Sequence, residues 1–319
     1  MIDPPPTVVY LGPADMLDYV RSCLPAPVVV RMPLDETEFD RMLPACDVIL
    51  DASMQMRFPA VRVSRAARLK WYVTATTGAD HVDAAALTSR GVPLLTLKGR
   101  SDVLGNVTAA AEHSWLLLLA CARGLRSAVD GVLEGNWDRT RYPGLMIRGR
   151  TLGLVGCGRI GGWMSRYGTA FGMRCIGFDP FVQRAPETIQ LASLETVLRE
   201  ADFVSVHVPL TDSTRGLIGR AQFDLMKPGV VLINTSRGEI VDQDALLDAL
   251  RSGRVASAGL DVLSGEPDID THPLVEFARH HGNVTITPHI GGFSPDAVRH
   301  VLEFSCRRIQ SLLADGRDV

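Results

Sequence analysis

The stretch Thr151-Leu152-Gly153-Leu154-Val155-Gly156-Cys157-Gly158-Arg159-Ile160-Gly161 decides the fold. Thr151 to Val155 is a short apolar run of β character that enters a turn with glycines at the spacing G-x-G-x-x-G. At that spacing Gly156 permits a tight turn, Gly158 lets the backbone approach a pyrophosphate, and Gly161 lets the next helix pack closely on the strand. That helix, expected to run to about Phe171, offers free N–H groups and a partial positive charge to phosphates. Asp179 stands 18 residues after Gly161, at the end of a second strand, Arg174–Phe178. A carboxylate there accepts hydrogen bonds from both ribose hydroxyls and repels a 2′-phosphate, which favours NAD over NADP. Arg184 follows closely and keeps NADP as the second possibility. A turn-forming Asp before Pro180 is the purely structural alternative.

Downstream, Phe203–Val206, Val230–Asn234, 257–260 and 284–287 read as four more strands, about six in this half of the chain. Upstream the pattern is weaker but of the same kind. Thr7–Leu11, 28–30, 48–50, Trp71–Thr74 and 93–96 read as short strands, separated by helix-like stretches at 35–42 and 60–69. Strands alternating with helices imply a parallel sheet covered on both faces. One long helix is expected over about 108–125, then a loop-like stretch over 131–149, and a final amphipathic helix over 295–314. At 319 residues the chain suits two domains. The reading is α/β: two Rossmann-like, doubly wound parallel-sheet domains with a cleft between them. Residues 1–100, completed by 292–319, form a substrate-binding domain, and 101–291 form the dinucleotide-binding domain.

Three segments just past strand ends carry the chemistry, where open α/β sheets bind ligands. They are Asn234-Thr235-Ser236-Arg237-Gly238, Asp261 to Pro267 with Glu266, and Pro288-His289-Ile290-Gly291-Gly292. Reduction of a carbonyl needs a proton donor to oxygen, a cation for an attached carboxylate, and a hydride at carbon. His289 can donate the proton near neutral pH. Glu266 would orient the imidazole and favour its protonated form. Arg237 can bind a carboxylate and polarise the keto oxygen through its planar fork. Singly, each is an ordinary loop residue; together, at three successive strand ends behind a nucleotide fingerprint, they form a catalytic set.

The composition excludes other classes. A net charge of -3 with no long run of one sign gives no nucleic-acid footprint and no basic membrane face. The six cysteines, Cys23, Cys46, Cys121, Cys157, Cys175 and Cys306, are scattered without metal spacing, so reduced thiols in a cytoplasmic protein and no metal site are expected. Met1 to Pro6 lacks the character of a signal peptide, the longest apolar run is too short for a membrane span, and no separate C-terminal regulatory domain is expected.

The chain resembles the D-isomer-specific 2-hydroxyacid dehydrogenases, and more narrowly their phosphoglycerate-dehydrogenase-like members. The carriers are Gly153 to Pro180, His207-Val208-Pro209-Leu210-Thr211, Asn234 to Asp242, Asp261 to Pro267, Pro288 to Gly292 and Ala111-Glu112-His113. The resemblance implies that Arg237, Glu266 and His289 form the catalytic triad. It implies that Asp261 binds the nicotinamide carboxamide, that Thr235, His207, Val208, Pro209 and Gly291 line the cofactor cleft, and that Arg159 and Ile160 meet the pyrophosphate through their backbone. It implies a substrate-carboxylate loop at Ala75, Thr76, Thr77 and Gly78, where Thr76 replaces a glycine common in the family and leaves the substrate open. Lys98 and Arg100 could reach an anionic substrate group, or lie in a solvated hinge. Homodimerisation through the cofactor domains, using the long helix and the 131–149 arm, is the family habit. The expected activity is hydride transfer between NAD(H) and C2 of a small 2-hydroxy or 2-keto acid. The alternatives are an NAD(H)-sensing corepressor-like module, a formate dehydrogenase (against which Glu266 argues), and an S-adenosylmethionine methyltransferase, which would leave His289 and Glu266 unexplained. The histidines at 272, 280, 281 and 300 read as surface residues without partners.

Overall fold

The computed structural model describes residues 4–318; Met1 to Asp3, the start of the proline-rich terminus, and Val319 lie outside the described residues. In chain order the elements are β1 (Thr7–Leu11), α1 (Leu17–Cys23), β2 (Val29–Arg31), α2 (Glu36–Met42), β3 (Val48–Asp51), α3 (Ala60–Arg65), β4 (Trp71–Thr74), α4 (Ala84–Ser89), β5 (Leu94–Leu95), α5 (Ser101–Leu104), α6 (Ala109–Ala122), α7 (Leu125–Leu133), β6 (Thr151–Val155), α8 (Arg159–Ala170), β7 (Arg174–Phe178), β8 (Gln190–Leu191), α9 (Leu194–Glu200), β9 (Phe203–Val206), α10 (Arg220–Leu225), β10 (Val230–Asn234), α11 (Gln243–Arg251), β11 (Val255–Leu260), α12 (Pro273–His280), β12 (Val284–Ile286) and α13 (Pro295–Asp315). The chain divides into two compact units, one running to Val107 and resuming at Pro295, the other Thr108–Ser294.

The first unit is a five-stranded parallel sheet of order β2-β1-β3-β4-β5. The chain reverses direction across the sheet between β1 and β3, where Leu11 pairs with Asp51. One face packs Val8, Tyr10, Leu50 and Val73 against α1 and against Val298, Leu302, Cys306, Ile309 and Leu312 of α13. The other packs Val9, Ile49 and Tyr72 against Phe39, Phe58, Val63 and Leu87 of the intervening helices and loops. Side chains alternate between the faces because the strand repeat is two residues. Helices start where carboxylates accept orphan N–H groups: Asp35 from Glu38 N at 2.7 Å and Asp83 from Ala86 N at 2.8 Å.

The second unit is a seven-stranded parallel sheet of order β12-β11-β10-β9-β6-β7-β8. Its central strands β6, β9 and β10 are buried along their whole length, as expected of a parallel sheet covered on both faces. Replacing a core residue such as Leu232 or Leu198, both fully buried, by Ala would cost about 2–5 kcal/mol. α6 lies so close over β11 that a Cβ on Gly259 would sit 2.9 Å from Leu117 Cβ. The direction of progression reverses between β6 and β9, whose ends Val155 and Val206 are paired. The loops after these two strands therefore flank a switch point, where doubly wound sheets bind ligands.

Three details differ from the sequence reading. The sheet has a seventh strand, the exposed Gln190–Leu191, too short and polar to register as periodic. The expected long helix ends before Gly124 as α6, and a helix that the sequence reading did not give, α7, follows it, with Gly124 at φ +56° as its N-cap. α7 also consumes the start of the expected loop: Gly131 is helical, and a Cβ there would lie 1.7 Å from the Tyr142 hydroxyl oxygen. That glycine is a close-packing device rather than loop punctuation.

Candidate active site

The three glycines of the fingerprint have three distinct surroundings. A Cβ on Gly156, at φ +100°, would lie 2.6 Å from His207 O, so the turn must pass tight against the end of β9. A Cβ on Gly161 would lie 2.2 Å from Gly156 O, which seats α8 against the turn. A Cβ on Gly158 would meet nothing within 4 Å, so this glycine faces open space. In the first turn of α8 the N–H groups of Ile160 and Gly161 have no acceptor among the described residues, and Arg159 opens the same turn. Orphan donors, helix dipole and an open backbone face together fit a pyrophosphate.

Asp179 makes the turn of the structural reading and also reaches the fingerprint. Its Oδ1 accepts from Phe181 N at 2.9 Å, the local turn, and its Oδ2 accepts from Cys157 N at 3.0 Å. The carboxylate is thereby fixed beside the glycine-rich turn. Across the switch point His207 N donates to Val155 O at 2.7 Å. The His207 ring meets Ser205 Oγ through Nε2 at 2.8 Å, and burial pushes its pKa down to about 3. The ring is neutral at physiological pH. Val208 packs on the core of this unit and Pro209 is exposed.

After β10 the chain is held by its own polar groups. Asn234 Nδ2 donates to Arg237 O at 2.9 Å, and Asn234 Oδ1 accepts from Ser236 N at 3.1 Å. Ser236 Oγ donates to Val206 O at 2.6 Å. Thr235 Oγ1 lies 2.7 Å from Ser114 Oγ of α6. A Cβ on Gly238 would lie 2.1 Å from the Leu263 carbonyl carbon, so this loop presses directly on the one after β11. The Arg237 guanidinium donates through Nη1 to Ser236 O at 2.7 Å.

The remaining two strand ends meet. His289 Nδ1 is hydrogen-bonded to Glu266 Oε1, and Glu266 Oε2 accepts from Leu263 N at 3.0 Å. The carboxylate is thus anchored on one side and engages the imidazole on the other. His289 Nε2 has no hydrogen-bond partner among the described residues and is the ring atom left to exchange a proton. His289 adopts φ +55°, a conformation uncommon outside glycine. It is held there by its N–H on Asp261 O at 2.9 Å and by the next two N–H groups, Ile290 and Gly291, on the Asp261 carboxylate at 2.9 and 2.7 Å.

Asp261 is therefore the organiser of this loop. It is 1% exposed. Oδ1 also accepts from Thr287 Oγ1 at 2.6 Å and lies 3.2 Å from His113 Nε2. Burial pushes its pKa up, but His113, Thr287 and the two N–H groups outweigh burial and hold it below the usual carboxylate value. Among the described residues Oδ2 carries a single hydrogen bond, to Gly291 N, so it has capacity for one more donor. His113, on α6, was legible in the sequence only as part of a matching stretch; its contact with Asp261 joins residues 148 positions apart and has no local signal.

In the first unit the loop after β4 is built to present backbone donors. Thr74 Oγ1 donates to Thr76 O at 3.0 Å, and Thr76 Oγ1 donates to Gly78 O at 2.7 Å. The Thr76 hydroxyl thus spans the loop, and the N–H groups of Thr76, Thr77 and Gly78 have no acceptor among the described residues. Ala75 is buried, with its N–H on Asp51 O at 2.7 Å. The 97–102 segment is a turn and a short helix. Arg100 engages Asp102 with two donors, at 3.0 and 2.7 Å, and lies 4.3 Å over the Phe304 ring. Lys98 is exposed. The four remaining histidines do have partners. His272 Nδ1 accepts from Leu274 N and caps α12, His280 pairs with Glu276, His281 stacks on Phe277, and His300 meets Val103 O. Among the described residues no group of three His, Cys, Asp or Glu is placed to hold a metal ion, and no helix is long and apolar enough to cross a membrane.

Comparison with known proteins gives the same family as the motifs. Residues 115–291 match the family model of the D-isomer specific 2-hydroxyacid dehydrogenase NAD binding domain. The chain is 36% identical over 290 residues to a D-3-phosphoglycerate dehydrogenase of Archaeoglobus fulgidus, covering 90% of this chain and 53% of that protein. It thus spans about half the length of that relative. It is 35% identical to a hydroxypyruvate reductase of Thermotoga maritima, covering 84% of this chain and 85% of the other. Among solved structures, the D-lactate dehydrogenase of Aquifex aeolicus complexed with NAD and lactic acid is 25% identical, with a TM-score of 0.85 over 98% of both chains.

Proposed function

Because this chain belongs to the D-isomer specific 2-hydroxyacid dehydrogenase family, we propose that it transfers a hydride between NAD(H) and C2 of a small 2-hydroxy or 2-keto acid. The observation that carries the proposal is the His289–Glu266 pair, with Nδ1 on the carboxylate and Nε2 left to exchange a proton. Reduced nicotinamide, when bound, supplies the hydride to C2. His289 Nε2–H gives a proton to the oxygen on C2, and Glu266 balances the imidazolium before and after transfer. Arg237 polarises that oxygen and draws the carboxylate. In the oxidative direction the same nitrogen takes the hydroxyl proton.

NAD binding is assigned to the second unit. Gly156, Gly158, Arg159, Ile160 and Gly161 take the pyrophosphate and Asp179 the ribose. Thr235, His207, Val208, Pro209 and Gly291 line the nicotinamide side, where Asp261 Oδ2 accepts from the carboxamide. Substrate selection is assigned to the first unit, where the N–H groups of Thr76, Thr77 and Gly78 recognise the carboxylate. Arg100, whose fork is engaged by the exposed Asp102, stays in the proposed contact set together with Arg237, since an exposed pair of this kind gives way to a substrate anion at little cost. The relatives' names include D-3-phosphoglycerate, hydroxypyruvate and D-lactate chemistry, so small 2-keto acids of these kinds are the first candidates.

A homodimer belongs to the same proposal. α7 and the arm after it expose Val129, Val132, Leu133, Trp137 at 88% and Met146 at 75%, an apolar face suited to a second copy. A cytoplasmic setting is supported by six free thiols, five of them buried. The test is NADH oxidation against a panel of 2-keto acids (glyoxylate, hydroxypyruvate, pyruvate, phenylpyruvate, 2-oxoglutarate and 3-phosphohydroxypyruvate), repeated with NADPH. Turnover of one or two with NADH supports the reading. Silence across the panel, with NADH binding shown by fluorescence, overturns it. Sedimentation as a monomer would remove the dimer.

A further inference from the structure

The first unit contains a buried polar cluster that the proposed chemistry does not use. Asp51 is the last residue of β3, fully buried at the carboxyl edge of the sheet and beside its switch point. Its Oδ2 accepts from Tyr72 Oη at 2.9 Å and lies 2.6 Å from His81 Nε2. Its Oδ1 accepts from Ser53 N and Met54 N, both at 3.0 Å. Tyr72 is fully buried, and the His81 side chain is 7% exposed. His81 Nδ1 is buried without a partner among the described residues, which fits Nε2–H as the donor. Burial pushes the Asp51 pKa up, and hydrogen bonding to His81 and to the turn outweighs it, so the carboxyl stays below its usual value.

The geometry gives this cluster a task. The loop proposed to recognise the substrate carboxylate begins at Ala75 and ends at His81. Asp51 grips both ends: its backbone oxygen accepts from Ala75 N at 2.7 Å, and its side chain holds the His81 ring. Between and beside those anchors the loop is also held by Thr74 Oγ1 on Thr76 O, by Thr76 Oγ1 on Gly78 O, by Leu97 N on Thr76 O at 2.9 Å, by Val82 N on Ala79 O at 3.0 Å and by Phe58 N on His81 O at 2.8 Å. We infer that Asp51 and His81 are positioning residues that fix the aim of the Thr76–Gly78 N–H groups, and so set affinity for the carboxylate of the 2-keto acid. The inference rests on the reading that this loop binds that carboxylate. Both side chains act through the loop, so loosening it weakens substrate binding while leaving hydride transfer from a bound substrate intact.

The test is steady-state kinetics of the full chain with the best 2-keto acid of the panel. Loss of one charge-assisted hydrogen bond corresponds to roughly tenfold in an equilibrium constant. His81→Ala is accordingly expected to raise KM by about tenfold or more, with kcat within about twofold and NADH affinity unchanged. His81→Gln, whose amide reaches the same carboxylate, is expected within about threefold of the wild-type KM. Should His81→Ala fail to fold, Tyr72→Phe carries the test, since it removes only the hydroxyl that orients Oδ2; KM is then expected to rise about threefold. An unmoved KM in the folded variants, or kcat and NADH affinity falling together with it, overturns the inference. Wild-type chain that binds NADH yet reduces no 2-keto acid sinks the parent reading and this inference with it. Wild-type turnover with an unmoved KM in the variants sinks the inference alone.

Discussion

Replacing Asp261 by Asn should unfasten the loop that carries His289. The substitution is nearly isosteric, so its effect comes from hydrogen bonding and charge. In one amide orientation the carbonyl oxygen serves Ile290 N and Thr287 Oγ1, and the NH2 group faces Gly291 N–H across the 2.7 Å now spanned by a hydrogen bond. In the other, the oxygen serves Gly291 N and the NH2 group faces Ile290 N–H. Either way one backbone donor is stranded, the buried Gly291 N–H or the part-buried Ile290 N–H, at a cost of about 1–3 kcal/mol. The surviving bonds also lose their charge assistance, worth about 1 kcal/mol more. The total, about 2–4 kcal/mol, corresponds to roughly 30- to 1000-fold in the opening equilibrium of the loop. Hydrogen exchange read by mass spectrometry on a peptide spanning 284–294 measures it directly. Exchange of the Ile290 and Gly291 amides should accelerate by that factor, while peptides from β6 and β9 stay unchanged. Thr287→Val, which removes a hydroxyl but strands no backbone N–H, should give a clearly smaller effect. Exchange in Asp261→Asn within threefold of wild type would refute the assignment of Asp261 as the organiser of the loop.

The other expectations concern chemistry and pH. His289→Ala should lower turnover at least about 100-fold while NADH still binds; near-normal turnover would remove His289 from the mechanism. Asp179→Ala should weaken NAD binding and relax discrimination against NADP, and an unchanged preference would sink the ribose assignment. His207 is neutral in the folded chain with its pKa pushed down from 6.5 to about 3, so between those values the unfolded chain binds the extra proton. Stability contributed by this residue should therefore be full above pH 6.5 and fall on acidification, by at most about 1.4 kcal/mol per pH unit. His207→Gln should flatten the urea-melt stability profile between pH 6.5 and 4; an identical slope in the variant would count against burial as the cause.

The parts of this molecule legible in the sequence are those whose physical cause is local. The β6–turn–α8 unit can be read because the G-x-G-x-x-G spacing follows an apolar strand directly, although the backbone that crowds Gly156 belongs to His207, 51 positions away. The strand ends bearing Arg237, Glu266 and His289 can be read because a buried parallel strand is an unbroken apolar run and the chemistry follows it directly. What escaped depends on distant partners. Gly131 looked like a loop residue because the Tyr142 ring that demands it lies eleven positions away. β8 escaped because two exposed residues carry no period. His113, His81 and Asp51 carried no role in the sequence, since each acquires one only when a residue 30 or more positions away folds against it.

The first sheet is completed on one face by α13, whose Val298, Leu302, Ile309 and Leu312 lie in the same core as Val8 and Tyr10 of β1. During synthesis those two sets of residues are separated by the whole of Thr108–Ser294. At about 5–20 residues per second, β1 to β5 wait roughly 10–40 s for the helix that covers them. The unit encoded in the middle of the chain has all its strands in hand before the one encoded at its beginning can finish its core. Completion of the two cores on the ribosome therefore runs inside-out with respect to the sequence, and the newborn first sheet spends that interval with one apolar face covered by α1 alone, leaving the surface that α13 will occupy open to a holdase chaperone.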